Sequence, residues 1–312
     1  KSTEDLQNLI AFFHTYRISS LFGVYAGPDQ KNSSEIIINL SQSGITLGDK
    51  DYYLNPGERY KEIRSEYFNY MTKMFENLGY TTDEASKRAT TVLNLETDLA
   101  NISYGRLELR DPLKNYYKTN LTEFKSICPN FNWDNYFKNI GVQNPGEFDI
   151  SQKTFFEGLN NFLANHSVEE FKPYLEWHLL NSSSGFLSSK FVNENFNFYG
   201  KFFSGQKEIK PRWKRVLDVI NGSLGEALGQ IYVEKYFPPE SKARVLELVE
   251  NLRSALRTRI QNLDWMSPET KSQAIAKLDK MMIKIGYPDK WRDYSNLKIN
   301  KDSYFNNHLA TR

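Results

Sequence analysis

Residues 81–102, TTDEASKRATTVLNLETDLANI, carry the clearest structural pattern in the chain. After Thr81–Glu84, the apolar residues recur at spacings of three and four: Ala85, Ala89, Val92, Leu95, Leu99 and Ile102. This spacing places them on one face of an α-helix. The stretch therefore predicts a long helix with one buried face.

The same period continues towards the C-terminus. Residues 239–263 repeat it with Val245, Leu248, Leu252, Leu256 and Ile260. A third helix is predicted from an N-cap at Ser267 to a stop at Gly286. Its inward stripe would be Ala274, Leu278, Met281, Met282 and Ile285. Further helices are predicted at Thr3–Tyr16, Arg59–Leu78, Trp133–Ile140, Gln152–Asn165, Val168–Leu180 and Trp213–Tyr236.

Strand patterns are scarce. Phe22–Ala26 and Ile36–Leu40 flank the turn-forming residues 27–32, which predicts a small β-hairpin near the N-terminus. Residues 116–133 are expected to form turns and a short helix. The sequence contains no internal repeat, low-complexity tract or Gly/Ser-rich linker. The fold class is therefore predicted to be mainly α, and residues 1–312 are treated as a single region.

The composition is that of a folded protein with near-neutral charge. The 312 residues include 39% hydrophobic and 14% aromatic residues, with a net charge of +2. This charge argues against a dedicated nucleic-acid-binding protein. No apolar run approaches the ~18 residues needed to cross a bilayer, and no signal peptide is visible. Because the chain opens at Lys1 without Met and ends on polar residues, we expect it to be a piece of a longer protein.

Few residues in the sequence suggest catalysis. The four histidines are His14, His166, His178 and His308. No two are four residues apart, as a helical zinc-binding pair requires, and His166 is expected to lie at the surface near a helix end. The one cysteine, Cys128, is expected to be a buried structural thiol. The sequence therefore predicts no metal-binding residue and no cysteine nucleophile in this chain. Acid/base pairs among its 38 acidic residues are left open, as are the substrate-binding residues.

Two other patterns favour packing over binding. Asn221–Gly229 is glycine-rich, but the glycines fall inside a helical pattern, which predicts close helix–helix contact and not a phosphate loop. The aromatic clusters at residues 51–53, 115–117 and 195–199 lack an accompanying basic run. They are predicted to be packing anchors, with stacking on bases or sugars as the alternative.

The chain also contains seven N-x-S/T sequons, about twice the number that chance would give. They begin at Asn32, Asn39, Asn101, Asn120, Asn165, Asn181 and Asn221. Glycosylation and an Asn-rich bacterial composition explain this excess equally well.

Six short motifs resemble those of one enzyme family, and they occur in that family's order. They are Leu47-Gly-Asp-Lys-Asp-Tyr-Tyr-Leu54, Trp213-Lys-Arg-Val216, residues 228–237 (LGQIYVEKYF), residues 263–274 (LDWMSPETKSQA), Lys284-Ile-Gly-Tyr-Pro-Asp-Lys-Trp291 and Tyr304-Phe-Asn-Asn307. The chain thus resembles the neprilysin and endothelin-converting-enzyme family of zinc endopeptidases. Its low cysteine content resembles the bacterial branch, oligopeptidase O, more than the animal ectodomains.

The resemblance implies a fold and a role. It covers the family's N-terminal helical region, which caps the catalytic lobe across a closed cavity and admits short peptides. The family's substrate-backbone element, Asn-Ala-x-Tyr/Phe, and its two zinc motifs would follow beyond residue 312, so no catalytic residue is carried over. The chain would need no cofactor itself, and zinc would belong to the catalytic lobe of the full-length parent.

The resulting hypothesis is a substrate-gating lobe, inactive alone, of a neprilysin-like zinc endopeptidase. Its partners would be the catalytic lobe and short peptides, with no nucleic acid and no direct membrane contact. A bacterial exported location is expected, with the cytoplasm as the alternative. A freestanding helical interaction module derived from the same family is the competing hypothesis. An apolar docking face would favour the lobe, whereas a polar surface throughout would favour the module.

Overall fold

A computed structural model describes residues 2–312, and contacts within the chain group them into two compact units. The first unit contains the residues up to Ile209, together with Lys301–Ala310 and Arg312. The second contains Lys210–Asn300 and Thr311. This division was not predicted from the sequence, because helical periodicity continues on both sides of residue 210.

Helices form most of the first unit, as predicted. They are α1 (Thr3–Thr15), α2 (Asp51–Leu54), α3 (Glu58–Leu78), α4 (Thr82–Ile102), α5 (Leu121–Ile127), α6 (Trp133–Asn139), α7 (Lys153–Asn165), α8 (Val168–Ser183), α9 (Ser189–Asn195) and, after the second unit, α13 (Tyr304–Ala310). Short 3₁₀ turns lie at Glu108–Arg110 and Ser184–Phe186, and a π-helix spans Phe196–Phe203. No helix of residues 2–312 is long and apolar enough to cross a membrane.

The predicted hairpin is confirmed and belongs to a larger sheet. Strands β1 (Phe22–Pro28) and β2 (Ile36–Gln42) pair antiparallel. The sheet also contains β3 (Lys118–Asn120) and β4 (Glu147–Ile150), in the order β1-β2-β4-β3. β4 runs parallel to β2 and antiparallel to β3. Neither β3 nor β4 was predicted, because strands of three or four residues are too short to show an alternating pattern.

Helix α4 has the buried face that its sequence predicts, and it is shared by two cores. Thr81 and Glu84 cap its N-terminus reciprocally, each side chain bonding the other's backbone N–H. Leu95 and Leu99 belong to a core around the sheet with α1 and α5–α8, which we call the sheet core. Ala85 and its neighbours belong to a second core among α3, α4, α8 and the π-helix, the helical core.

A buried carboxylate lies on the inward face of α4. The Glu96 side chain is fully buried. Its Oε2 accepts hydrogen bonds from the hydroxyls of Tyr53 at 2.7 Å and Tyr67 at 2.8 Å. Its Oε1 accepts from the backbone N–H of Thr46 at 3.2 Å and from the hydroxyl of the same residue. One carboxylate thereby joins the loop before α2 to α2, α3 and α4.

The hydroxyls around this carboxylate have their acceptor sides filled by N–H groups. The Tyr67 and Thr46 hydroxyls accept from the indole N–H of Trp177, and the Tyr53 hydroxyl accepts from the backbone N–H of Leu47. All three hydroxyl protons therefore point to Glu96, whose two oxygens act as the acceptors. Burial, and next the charge of Glu96, raise the pKa of Tyr53 and of Tyr67 well above the ordinary value, so both remain donors.

The second unit contains α10 (Arg212–Tyr236), α11 (Pro239–Asn262) and α12 (Pro268–Asp279). The start of α12 is confirmed, since the Ser267 side chain accepts from Thr270 N. Its predicted end at Gly286 is wrong. The helix stops at Asp279, and Met281 and Met282 of the predicted inward stripe are exposed. Leu278 is the last buried residue of the stripe, and past it no surface stabilises a further helical turn.

We expect Glu96→Gln to destabilise the first unit. An amide brings two N–H donors to a site already filled with donors and removes the charge that they bond. The loss should be about 2–4 kcal/mol of unfolding free energy. Chemical denaturation followed by circular dichroism measures it. The control is Glu62→Gln, because the exposed ion pair of Glu62 with Arg59 should contribute less than about 0.5 kcal/mol. Equal denaturation midpoints for the two variants would contradict this role of Glu96.

Candidate functional site

The histidines are dispersed through the first unit, each with its own partners. His14 bonds the Tyr136 hydroxyl at 2.7 Å and the carbonyl of Ser20 at 3.0 Å, and burial lowers its pKa to about 4. His308 stacks on Phe186 with ring centroids 3.7 Å apart. Their packing and hydrogen bonds are those of structural side chains.

The other two histidines lie near carboxylates. His166, predicted at the surface near a helix end, follows the last residue of α7 and is half-buried, with its ring nitrogens 3.3 Å from Asp98 and Glu170. His178 Nε2 lies 3.3 Å from Glu96 Oε1. No group of three or more His, Cys, Asp and Glu side chains among residues 2–312 has the arrangement of a metal site. The described residues thus do not fit a zinc ion.

The buried thiol predicted at Cys128 is confirmed. Cys128 belongs to the sheet core, and burial raises its pKa to about 12. Its carbonyl accepts the indole N–H of Trp133 at 2.9 Å. A thiol this reluctant to ionise is a poor nucleophile at neutral pH.

The aromatic clusters are packing anchors, as predicted. Tyr53 bonds Glu96 in the interior, and buried Phe198 stacks on Tyr70 with ring centroids 4.9 Å apart. In the cluster at residues 115–117, Tyr117 packs against the sheet core and its hydroxyl donates to Glu123 Oε1 at 2.6 Å. These side chains therefore pack within the first unit.

The prediction of helix–helix contact through Asn221–Gly229 is wrong for two of the three glycines. A Cβ placed on Gly222 or Gly225 would meet no atom within 4 Å among the described residues. One placed on Gly229 would lie 3.6 Å from the Trp291 ring, which belongs to a non-helical segment. Helix α10 is also kinked at Leu224, whose φ and ψ are −118° and 27°. Flexible Gly222 and Gly225 on either side explain the kink.

The distinctive surface of the chain lies on the second unit. Helices α10 and α11 contain no buried residue, although both carry an apolar stripe. On α11, Leu248, Leu252 and Leu256 are 57%, 61% and 46% exposed. Their spacing of four places them on one helix face, which we call the α11 stripe. On α10, Trp213, Ile231, Tyr232 and Tyr236 are exposed as well. Exposed apolar side chains at this density are typical of a surface that meets a partner.

The exposure of the α11 stripe differs from what its sequence predicts. Leu248, Leu252 and Leu256 were expected to form the buried face of a helix. Periodicity predicts which residues share a face, but not whether the described chain covers that face. The expectation of burial is therefore wrong for these three leucines, while the helix itself is confirmed.

Comparison with known proteins identifies the family. A family model of the N-terminal part of peptidase family M13 matches residues 1–288. Human endothelin-converting enzyme 1 is 30% identical over 300 residues, covering 95% of this chain and 38% of the enzyme. Neprilysin-3 of Drosophila melanogaster is 29% identical, covering 94% of this chain and 40% of that protein.

Solved structures agree with the sequence relatives. The open state of the zinc metalloprotease Zmp1 of Mycobacterium tuberculosis superposes with a TM-score of 0.89 at 30% identity, over all of this chain and 48% of that one. PepO of Lactobacillus rhamnosis shares the fold, with a TM-score of 0.83 at 18% identity and 49% of its chain covered. The chain spans less than half the length of each of these relatives. It belongs to peptidase family M13, the family of neprilysin and endothelin-converting enzyme, and it corresponds to the helical N-terminal part of these proteins.

Proposed function

We propose that this chain is the substrate-gating lobe of a zinc endopeptidase that cleaves short peptides. The observation that carries the proposal is the absence of any buried residue from α10 and α11. Because each leucine of the α11 stripe is still about half exposed, completing its burial would gain roughly 1 kcal/mol, so a partner surface is favoured there. The partner that fits is the remainder of the same protein, because family relatives are more than twice as long as the matched region.

In the full-length protein, catalysis would take place in the part outside residues 1–312. Zinc bound there would polarise a water molecule for attack on the peptide carbonyl. The present chain would contribute a wall of the cavity, exclude bulk water and limit substrate size. Support for movement between lobes comes from Zmp1, whose solved structures are described as open and partially open. The N-terminal region of that protein is the part that this chain resembles.

A freestanding interaction module is the second candidate. The observation in its favour is the first unit, whose sheet core and helical core are each well buried. The second unit argues against it, because Leu278 is its one buried hydrophobic residue. A module that acts alone would be expected to cover the α11 stripe or to carry polar residues there.

Partners and location follow from the same proposal. Short peptides and the catalytic lobe are the expected partners, and the net charge of +2 gives no reason to expect nucleic acid. We keep the expectation of a bacterial exported protein, with Zmp1 and PepO as bacterial relatives, and the cytoplasm as the alternative.

Complementation tests the proposal directly. We expect residues 1–312 to leave a fluorogenic peptide uncut, and the separately produced catalytic part to cut it poorly, because positioning and water exclusion need both lobes. Mixing the two should restore cleavage at least tenfold, and a chelator should abolish it. If the mixture is no more active than the catalytic part alone, although both parts are folded and concentrated enough to associate, the interaction module is favoured.

A charge on the α11 stripe should prevent this restoration. Leu252→Glu would place a carboxylate in an interface that we expect to be apolar and upwards of ~2,000 Å². The restored rate should fall at least tenfold, while the circular dichroism of the chain stays unchanged because Leu252 is exposed. Ser254→Glu adds the same charge on the opposite face of α11 and should have no effect. If both variants lowered the restored cleavage rate equally, the α11 stripe would not be the interface.

Zinc content provides an independent test. Because the described residues lack a metal-binding group, residues 1–312 should retain less than ~0.1 zinc per chain after dialysis. Elemental analysis measures this value, with the catalytic part as the positive control at about one zinc. A tightly bound stoichiometric zinc in this chain alone would mean that a metal site has been missed.

A further inference from the structure

The second unit contains a pocket of about 490 Å³ beside the exposed surface of α10, and Tyr232 belongs to both. It lies between α10 and the segment around Gly286–Trp291. Its walls include four aromatic rings, those of Tyr232, Phe237, Tyr287 and Trp291. A volume of this size accommodates a long side chain together with some adjoining backbone.

Glycines on α10 leave the floor of the pocket open. Gly225 lines the pocket, and a Cβ built on it meets no atom within 4 Å among the described residues. Gly229 lies beside it, close to the ring of Trp291. The glycines thus leave space where larger residues would fill it.

Hydrogen bonds hold the opposite wall of the pocket, the segment around Gly286–Trp291, in position. Lys242 Nζ donates to the carbonyl of Tyr287 at 2.9 Å and to Asp289 Oδ1 at 2.7 Å. The backbone N–H of Arg292 donates to Glu226 Oε2 at 2.7 Å, which ties the segment to α10. Gly286 has a φ of +71°, and a Cβ there would lie 2.8 Å from the Phe237 ring, so only glycine fits this turn. A wall held in this way needs little ordering when a ligand binds.

The electrostatics of the pocket favour a cation. Glu226 is the one ionisable carboxylate or base among the lining residues, apart from the tyrosine hydroxyls, and its Oε1 accepts no hydrogen bond from residues 2–312. Aromatic faces attract cations, and the ammonium of Lys242 already lies 4.3 Å from the centroid of Tyr287. The nearby positive charges are otherwise engaged: Lys242 pairs with Asp289, and the Arg292 guanidinium lies over Tyr294.

We propose that this pocket binds the side chain of an arginine or lysine in a peptide. The carboxylate of Glu226 would pair with the positive head, while the rings would cover the apolar stem and the face of the cation. An anion would be repelled by Glu226, and a neutral apolar side chain would desolvate that carboxylate without compensation. The inference rests on the proposed function in taking a peptide as the ligand, and it adds a preference for basic residues.

Calorimetric titration of residues 1–312 tests the pocket. The probes are acetyl-glycyl-arginyl-glycine amide and its citrulline counterpart, which has nearly the same shape without the charge. We expect the arginine peptide to bind at least tenfold more tightly. Glu226→Gln should remove most of that preference while keeping the fold, since the glutamine oxygen still accepts from Arg292 N–H. Glu234→Gln, on the same helix but outside the pocket, should change neither affinity.

A second variant guards against indirect effects. Gly225→Leu fills the open floor and should weaken both peptides. A Cβ at this position meets no atom within 4 Å among the described residues, so the variant should fold, and its circular dichroism checks that the kinked helix α10 is retained. Equal binding of the two peptides, or a preference that survives Glu226→Gln, would overturn the proposal. So would binding to residues 1–312 that disappears in the full-length protein, because the pocket would then belong to the lobe interface. Titration needs neither zinc nor cleavage, so its failure is distinct from failure of complementation.

Discussion

A carboxylate that water cannot reach, that of Glu96, joins several elements of the first unit. A buried carboxylate is stable only when hydrogen bonds replace its hydration. Glu96 accepts hydrogen bonds from three hydroxyls and one backbone N–H. Each hydroxyl in turn accepts a hydrogen bond from the indole N–H of Trp177 or the backbone N–H of Leu47. The arrangement fixes the direction of every proton in the network. It also explains the two adjacent tyrosines of residues 47–54: Tyr53 reaches inward to Glu96, while Tyr52 packs against Phe203.

Helical periodicity predicted much of the fold, and its failures have physical causes. Helices α1, α3, α4, α7 and α11 match the predicted stretches to within a few residues. Glu96 was missed, although it falls between Val92 and Leu99 on the stripe that predicted α4. A charge at such a position was the available signal of a buried polar network. β4 was missed because its pairing with β2 joins residues more than a hundred positions apart, which no local pattern reveals.

The candidate sites were less predictable than the fold. The segment Lys284–Trp291 was recognised as a family motif, but its packing against the glycines of α10 depends on a turn at Gly286 and on the bond from Arg292 to Glu226. The bond joins residues 66 positions apart, so no local pattern in the sequence reveals it. Exposure of the α11 stripe was equally hidden, because an amphipathic helix has the same sequence whether its own chain or a neighbour covers it. The family assignment supplies the context that makes such a neighbour expected.

The first unit is formed by separate stretches of the chain, and this determines how a change in the length of the second unit would affect its stability. The chain leaves the first unit after Ile209 and rejoins it at Lys301, where α13 packs against Phe186 through Tyr304 and His308. The second unit is thus an insertion in topological terms. The entropy of closing a loop grows only with the logarithm of its length, by about 0.6 kcal/mol for each doubling. A change in the length of residues 210–300 should therefore cost the first unit little loop-closure entropy.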